Sequence, residues 1–268
     1  MDKNKIKRII IISIYLLIAL IFGAVIYFVF KPDPSCSDGI KNQGETGVDC
    51  GGPCGLCQQK TIYQKLEVKS VEVAGDGQGG NDILIKVYNP NEEYGAKSFQ
   101  FIIMDDQGNK SQPYQDFILP KEEKYIIITG YILGEGVSSI QVGIDNENID
   151  WRRAINYQDP KLVIYNDHYE LNTTGGNYAK IVGLLVNKSA VDYETIKIKG
   201  ILRDKNGKFL GGSYHVINTL PANGKREFLI QFPNNPGEVA GIETQAETNI
   251  FSGDNYLKVE GRSNYLDE

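Results

Sequence analysis

Asp82-Ile83-Leu84-Ile85-Lys86-Val87-Tyr88-Asn89 and Lys180-Ile181-Val182-Gly183-Leu184-Leu185-Val186-Asn187 decide the fold of this chain. Each is a short apolar run rich in β-branched residues that ends at an asparagine, the composition of a buried strand closed by a turn. Downstream of each, the same landmarks return in the same order. Tyr94 matches Tyr193, Asp105-x-x-Gly108 matches Asp204-x-x-Gly207, and Leu119-Pro120 matches Leu220-Pro221. The offsets are 98, 99, 99 and 101 residues, too regular for unrelated turns, so the chain carries an internal repeat.

Within each copy apolar and polar residues alternate with period two. Ile196 and Ile198 alternate with Lys197 and Lys199; Phe228, Ile230 and Phe232 alternate with Glu227, Leu229 and Gln231. Asp105-Asp106-Gln107-Gly108, Asp204-Lys205-Asn206-Gly207 and Ala222-Asn223-Gly224 sit at hairpin positions. No helical stripe is sustained after Thr61, so the expected class is mainly β. Each copy has the length of an immunoglobulin-like β-sandwich. The expected boundaries are 61–155 for the first sandwich, 161–250 for the second and 251–268 for a C-terminal tail. Neither copy contains cysteine, which excludes an antibody-type core disulfide. Trp151 falls between the copies and is expected to pack at their junction.

Upstream lies an uncharged apolar run, Ile9 to Phe30, preceded by Lys3, Lys5, Lys7 and Arg8. Its 22 residues reach roughly 33 Å as a helix, enough for a hydrocarbon core of about 30 Å. A secretory signal has a shorter apolar region and a small-residue cleavage site, and no Ala-x-Ala follows here. The run therefore reads as an uncleaved transmembrane helix over 9–30. The basic residues keep 1–8 in the cytoplasm and send the rest across. The whole chain carries −6 while Met1–Arg8 carries +3, so all of the acidity lies in the extracytoplasmic part. Such a surface cannot hold phosphate backbones, and nucleic acid is excluded as a partner.

Residues 31–60 form a cysteine-rich spacer holding Cys36, Cys50, Cys54 and Cys57, the four cysteines of the chain. The segment has almost no apolar side chains and must be held covalently. Four thiolates at this spacing suit zinc. An oxidising compartment favours two disulfides instead, with three pairings open. Asp38, Asn42, Glu45 and Asp49 are hard oxygen donors on a glycine-rich loop. They read either as turn caps or as a calcium site, Ca2+ being the one cofactor for which the sequence offers ligands.

Two resemblances add to this. Cys36-x-Asp38-Gly39, Asn42, Glu45 and Asp49-Cys50-Gly51-Gly52-x-Cys54 resemble a short cysteine motif of bacterial surface proteins, which implies location rather than activity. Val186-Asn187, Phe101 with Asp105, Leu202 with Asp204, Leu220-Pro221 and Phe228 resemble the FxLYD family of bacterial extracytoplasmic β-sandwich domains, in two copies. That resemblance implies a fold and a cell-envelope location.

No Gly-x-Ser-x-Gly, His-Glu-x-x-His or phosphate-binding loop occurs. His168 and His215 are the only histidines; His215 is expected to face solvent, while His168, beside Asp167 and Glu170, is a candidate cation ligand. The expectation is a single-pass, membrane-anchored, non-enzymatic protein that presents two sandwiches to an envelope protein or glycan, or serves as a spacer. The alternative is an accessory subunit of an envelope assembly or secretion complex, and a hydrolase acting through paired carboxylates comes after both.

Overall fold

The computed structural model describes residues 3–30, 35–57, 62–75, 79–171 and 178–256. Residues 31–34 and 58–60 of the expected spacer, residue 61 of the expected first sandwich, and 257–268 of the expected tail lie outside the described residues. The chain divides into two compact units, Met1–Ile62 and Tyr63–Glu268, each described by itself.

The first unit opens with helix α1, Lys3–Phe30. Its stretch Ile6–Tyr27 is 22 residues long with a mean hydropathy of 3.1, long and apolar enough to cross a membrane. The cysteine segment follows in sequence. It has little regular structure beyond one 3₁₀ turn, Gly52–Cys54, and an isolated bridge between Gly47 and Cys50.

The second unit is β throughout. Its first half contains β1 (Glu67–Gly75), β2 (Asn81–Tyr88), β3 (Tyr94–Asp105), β4 (Tyr114–Ile118), β5 (Glu123–Tyr131), β6 (Ile140–Ile144) and β7 (Asp150–Arg153). These form two antiparallel sheets, ordered β1-β2-β5 and β4-β3-β6, with β7 continuing along β3. The second half contains β8 (Leu162–Leu171), β9 (Ala179–Asn187), β10 (Tyr193–Arg203), β11 (Phe209–Leu220), β12 (Lys225–Phe232) and β13 (Gly241–Glu247). Its sheets, β8-β9-β12 and β11-β10-β13, repeat the first pair strand for strand. The bridge between Tyr193 and Tyr256 stands where Tyr94 pairs with Arg153. The repeat is thus one of topology and register, and the two sandwiches are immunoglobulin-like.

Alternating residues build each core. Ile83, Ile85 and Val87 of β2 face Phe99, Phe101 and Ile103 of β3 in the first. Ile181 and Leu185 of β9 face Ile196, Ile198 and Leu202 of β10 in the second. The strand-ending asparagines explain why that landmark recurs. Asn89 donates from Nδ2 to the carbonyls of Tyr94 and Leu119, at 2.8 and 2.9 Å. Asn187 donates likewise to Val191, Leu220 and Pro221. Both are fully buried, and both oxygens accept from a residue two positions on, Asn91 or Ser189. One side chain thereby ties the β2–β3 turn, or its counterpart, to the Leu-Pro hairpin and satisfies carbonyls that would otherwise be orphaned.

Two expectations need correction. Trp151 is not a junction residue: it lies on β7 opposite Ala96, borders the first core, and stacks on Tyr63 with ring centroids 5.0 Å apart. Nor does the second sandwich stop at 250. Ile250 and Phe251 are 3% and 4% exposed within its core, and Asn255 is buried. The segment that follows β13 covers the stretch of β10, Tyr193–Ile196, that β13 leaves unpaired: Tyr256 bridges to Tyr193 and Asn255 accepts from the Thr195 N–H.

Candidate functional site

A network of buried and paired charged residues gathers where the two sandwiches meet. The outer face of β1-β2-β5 packs on the outer face of β11-β10-β13. Ala74, Leu84 and Ile127 from the first contact Ile201 and Phe209 from the second, in a buried cluster of their own. At about 1.5–3 kcal/mol per fully buried large apolar side chain, this contact is part of the unit's stability rather than a loose hinge. Gly212 permits the approach: a Cβ there would lie 2.9 Å from Ile127 Cγ2, and its N–H donates to Asp82 Oδ2 at 3.2 Å.

Strand β5 is an edge strand, and the second sandwich satisfies its free backbone groups. Gln245 Oε1 accepts from the Tyr125 N–H at 3.0 Å, and Lys199 Nζ donates to the Tyr125 carbonyl. Arg203 lies between Glu243 and Glu72, 3.0 Å from the latter, while the Tyr125 hydroxyl donates to Glu243 at 2.9 Å. Glu72 and Tyr125 belong to the first sandwich, Arg203 and Glu243 to the second. The network therefore crosses the junction.

Beneath it lie two buried lysines, Lys124 at 0% and Lys199 at 2% side-chain exposure. Lys124 Nζ is 2.7 Å from Asp116 and 3.1 Å from Glu247, and it donates to the Phe117 carbonyl at 2.6 Å. Lys199 shares Glu247, its one ion-pair partner among the described residues. Burial opposes the charge on Lys124, but Asp116, Glu247 and Glu122 outweigh it and hold its pKa above the usual lysine value. For Lys199, burial and then repulsion from Lys124 win over Glu247, and its pKa is pushed down to about 8. Asp116 is held below the carboxylate range: burial works against this, but Lys124 and Lys199 prevail. Glu122 is raised by burial, and its Oε2 accepts from the Leu119 N–H at 2.6 Å.

A groove of about 480 Å³ opens beside this network, lined among others by Lys97, Asp116, Lys197, Glu247, Asn249 and Asn255. Much of its wall is committed to structure. Asn255 accepts from the Thr195 N–H at 2.7 Å and donates to the Asn249 carbonyl, and Asn249 donates to the Lys97 carbonyl. Glycoside hydrolysis needs one carboxyl that keeps its proton beside one that is ionised and free to attack. Three carboxylates line the groove, Asp116, Glu247 and Asp254, and the first two serve Lys124.

In the cysteine segment the pairing is Cys36–Cys54 and Cys50–Cys57. All four sulfurs are spent, which sets the zinc reading aside. Among the described residues one group of potential metal ligands comes within 4.8 Å of one another, Cys36, Glu45 and Cys54, and two of its three members form a disulfide. The four predicted oxygen donors meet in one loop, where the three carboxylates are engaged in holding it, while Asn42 donates through Nδ2 and its Oδ1 is buried without a partner among the described residues. Asp38 accepts from the Ile40 N–H and from Asn42 Nδ2, at 2.9 and 2.8 Å. Asp49 accepts the Gly39 N–H on both oxygens, and Glu45 accepts the N–H groups of Asn42 and Asp49. The hydrogen bond from Asn42 is the main cause of the lowered pKa of Asp38. Gly51, at φ 79°, is required because a Cβ there would collide with Thr46 Oγ1.

His168 is exposed on β8, with Nδ1 2.9 Å from the Asn166 carbonyl and Nε2 3.0 Å from Glu170. Asn166 first and Glu170 second raise its pKa. His215 is half-buried rather than solvent-facing, and both histidines line one groove on the second sandwich.

The junction was not anticipated from sequence. Its one legible signal is the isoleucines at outward positions of β10 and β5, Ile201 and Ile127, where alternation alone predicts polar residues.

No protein-family model matches the chain, and no curated protein matches it in sequence. Among solved structures it has a likeness to red sea bream transglutaminase, at 10% identity and a TM-score of 0.21. The match takes in 69% of this chain and 30% of that one.

Proposed function

We propose that this chain is a single-pass, membrane-anchored, extracytoplasmic and non-enzymatic protein whose two sandwiches form one rigid unit for binding an envelope protein or glycan. The observation that carries the reading is the order of parts. A helix apolar enough to cross a membrane is followed directly in sequence by a segment held by two disulfides, which persist in oxidising compartments. Lys3, Lys5, Lys7 and Arg8 before the apolar stretch support a cytoplasmic N-terminus. The junction supports the rigid unit, because apolar contact, ion pairs and edge capping all act across it.

The test is protease treatment of intact cells, followed by carbonate extraction of the membranes. The reading expects the sandwiches to be reached from outside, and the residual N-terminal fragment to resist extraction. Sandwiches protected until the membrane is opened would reverse the orientation, and a chain released by carbonate would remove the anchor.

A second reading, as a subunit of an envelope assembly, is favoured by the helix surface. Ala19 and Gly23 form a small-xxx-small pair, and a Cβ at Gly23 would meet open space. Replacing Gly23 with isoleucine should then deplete co-purifying membrane proteins; unchanged co-purification would leave the first reading alone.

A further inference from the structure

The repeat has one face whose two copies are treated differently. In the first sandwich Leu84 pairs with Ile127 across β2 and β5, and the second sandwich covers them to 0% and 9% exposure. The register of β9 and β12 puts Val182 opposite Leu229 at the same two positions. There the face is open: Leu229 is 37% exposed and Tyr165, one row along beside Leu184, is 38% exposed. Val163 and Val186 extend it by a further row. A groove of about 600 Å³ runs through it past Val182, Leu184, Glu227 and Leu229. At its margin Glu170 pairs with Lys180 at 2.8 Å and with His168, leaving little net charge.

The surface that seats on such a face is also repeated. Within the chain the seat is the outer side of β10, centred on Ile201. The same position on β3, at the repeat's offset of 99, is Ile102, with Gly143 opposite it and Met104 next on that side. Ile102 and Met104 are only partly buried; the exposed amides Gln100, Gln115 and Gln141 surround them, and Lys110, at the repeat position of Phe209, bridges to Met104. A flexible methionine beside an isoleucine suits an irregular apolar recess.

We propose that copies of this chain associate head to tail, the open β8-β9-β12 face of one copy seating on the β4-β3-β6 outer face of the next, as the two sandwiches already do within the chain. The occupant is a second copy because the molecule carries both halves of the contact, and has already formed one such contact between them. Glu227 on the one side and Lys110 on the other are of opposite sign, so nothing repels. The contact is heterologous, since the two surfaces differ, and it leaves one free face at each end for further copies.

The test uses the full-length chain in detergent, carrying Leu229→Glu or Ile102→Glu, with mass read by light scattering over a concentration series. Native chains should form species of two, three and more copies. Each variant alone should remain a single copy, while an equimolar mixture of the two should stop at pairs, because each retains the face the other lacks. Association that survives both substitutions, as helix-driven pairing would, overturns the proposal. So does sensitivity to Leu229→Glu alone, which would mean like faces meeting. So does a native chain that stays single at every concentration. Thermal melting checks that both variants fold, and Leu229→Gln replaces Leu229→Glu should the latter melt early.

Discussion

The β1-β2-β5 face of the first sandwich and the β8-β9-β12 face of the second share strand order, register and apolar centre, yet one is buried and the other open. Leu84 and Ile127 lie under the second sandwich, whereas among the described residues Val182 is half-buried and Leu229 is 37% exposed. Repetition of backbone thus does not repeat environment. What differs is a set of side chains at the margin, where Glu72, Asp82 and Tyr125 meet Arg203, Gly212, Glu243 and Gln245 across the junction. The apolar centre supplies free energy of contact, and the margin fixes its geometry.

The strongest way to break the covered side is to remove the carboxylate that two lysines share. Glu247→Gln leaves Lys124 with Asp116 but strips Lys199 of its one ion pair. The expected loss is about 3–5 kcal/mol by urea unfolding, as for other buried pairs deprived of one partner. Next comes a matched pair. Leu84→Ala should cost about 2–5 kcal/mol, as in other buried sites, while Val182→Ala on the open face should cost well under half of that. Equal losses would mean that the two faces are equally buried in solution.

The pH dependence sharpens the same contrast. The pKa of Lys199 is lower in the folded chain, about 8, than the ordinary 10.5, so between these values the unfolded chain binds more protons. Stability should therefore rise as pH increases from about 8 towards 10, by no more than about 3 kcal/mol. Lys199→Met should remove that rise, and a wild-type profile flat over this range would count against the buried ammonium. Gly212→Val, which forces a side chain onto Ile127, should cost about 1–3 kcal/mol through overpacking. The smallest effect is expected for reduction. Both disulfides close loops that end by Cys57, so melting of the sandwiches should barely move, while the reduced spacer becomes open to proteolysis between Lys41 and Cys57.

Much of the fold was legible because it rests on local rules. The alternation in Ile196–Lys199 and the recurring Asn, Asp-x-x-Gly and Leu-Pro landmarks each have a structural cause, seen most clearly in Asn89 and Asn187. The junction was not legible, because nothing local distinguishes an outward isoleucine that meets another sheet from one that meets water. Lys124 and Lys199 read as ordinary strand lysines for the same reason. Their burial follows from tertiary packing, and their partners Asp116 and Glu247 lie 8 and 48 residues away. The disulfide pairing was likewise beyond the spacing of the cysteines, since it depends on the glycine-rich turn at Gly51 and Gly52 that folds Cys54 back to Cys36.

The central claim is that the two sandwiches act as one unit through this face. Hydrogen exchange of the full-length Leu84→Ala chain tests it most directly. The account predicts that amides of β10 in the second sandwich, from Ile196 to Ile201, lose protection together with those of β2. Exchange that quickens in β2 and β5 while β10 keeps its native protection would contradict it.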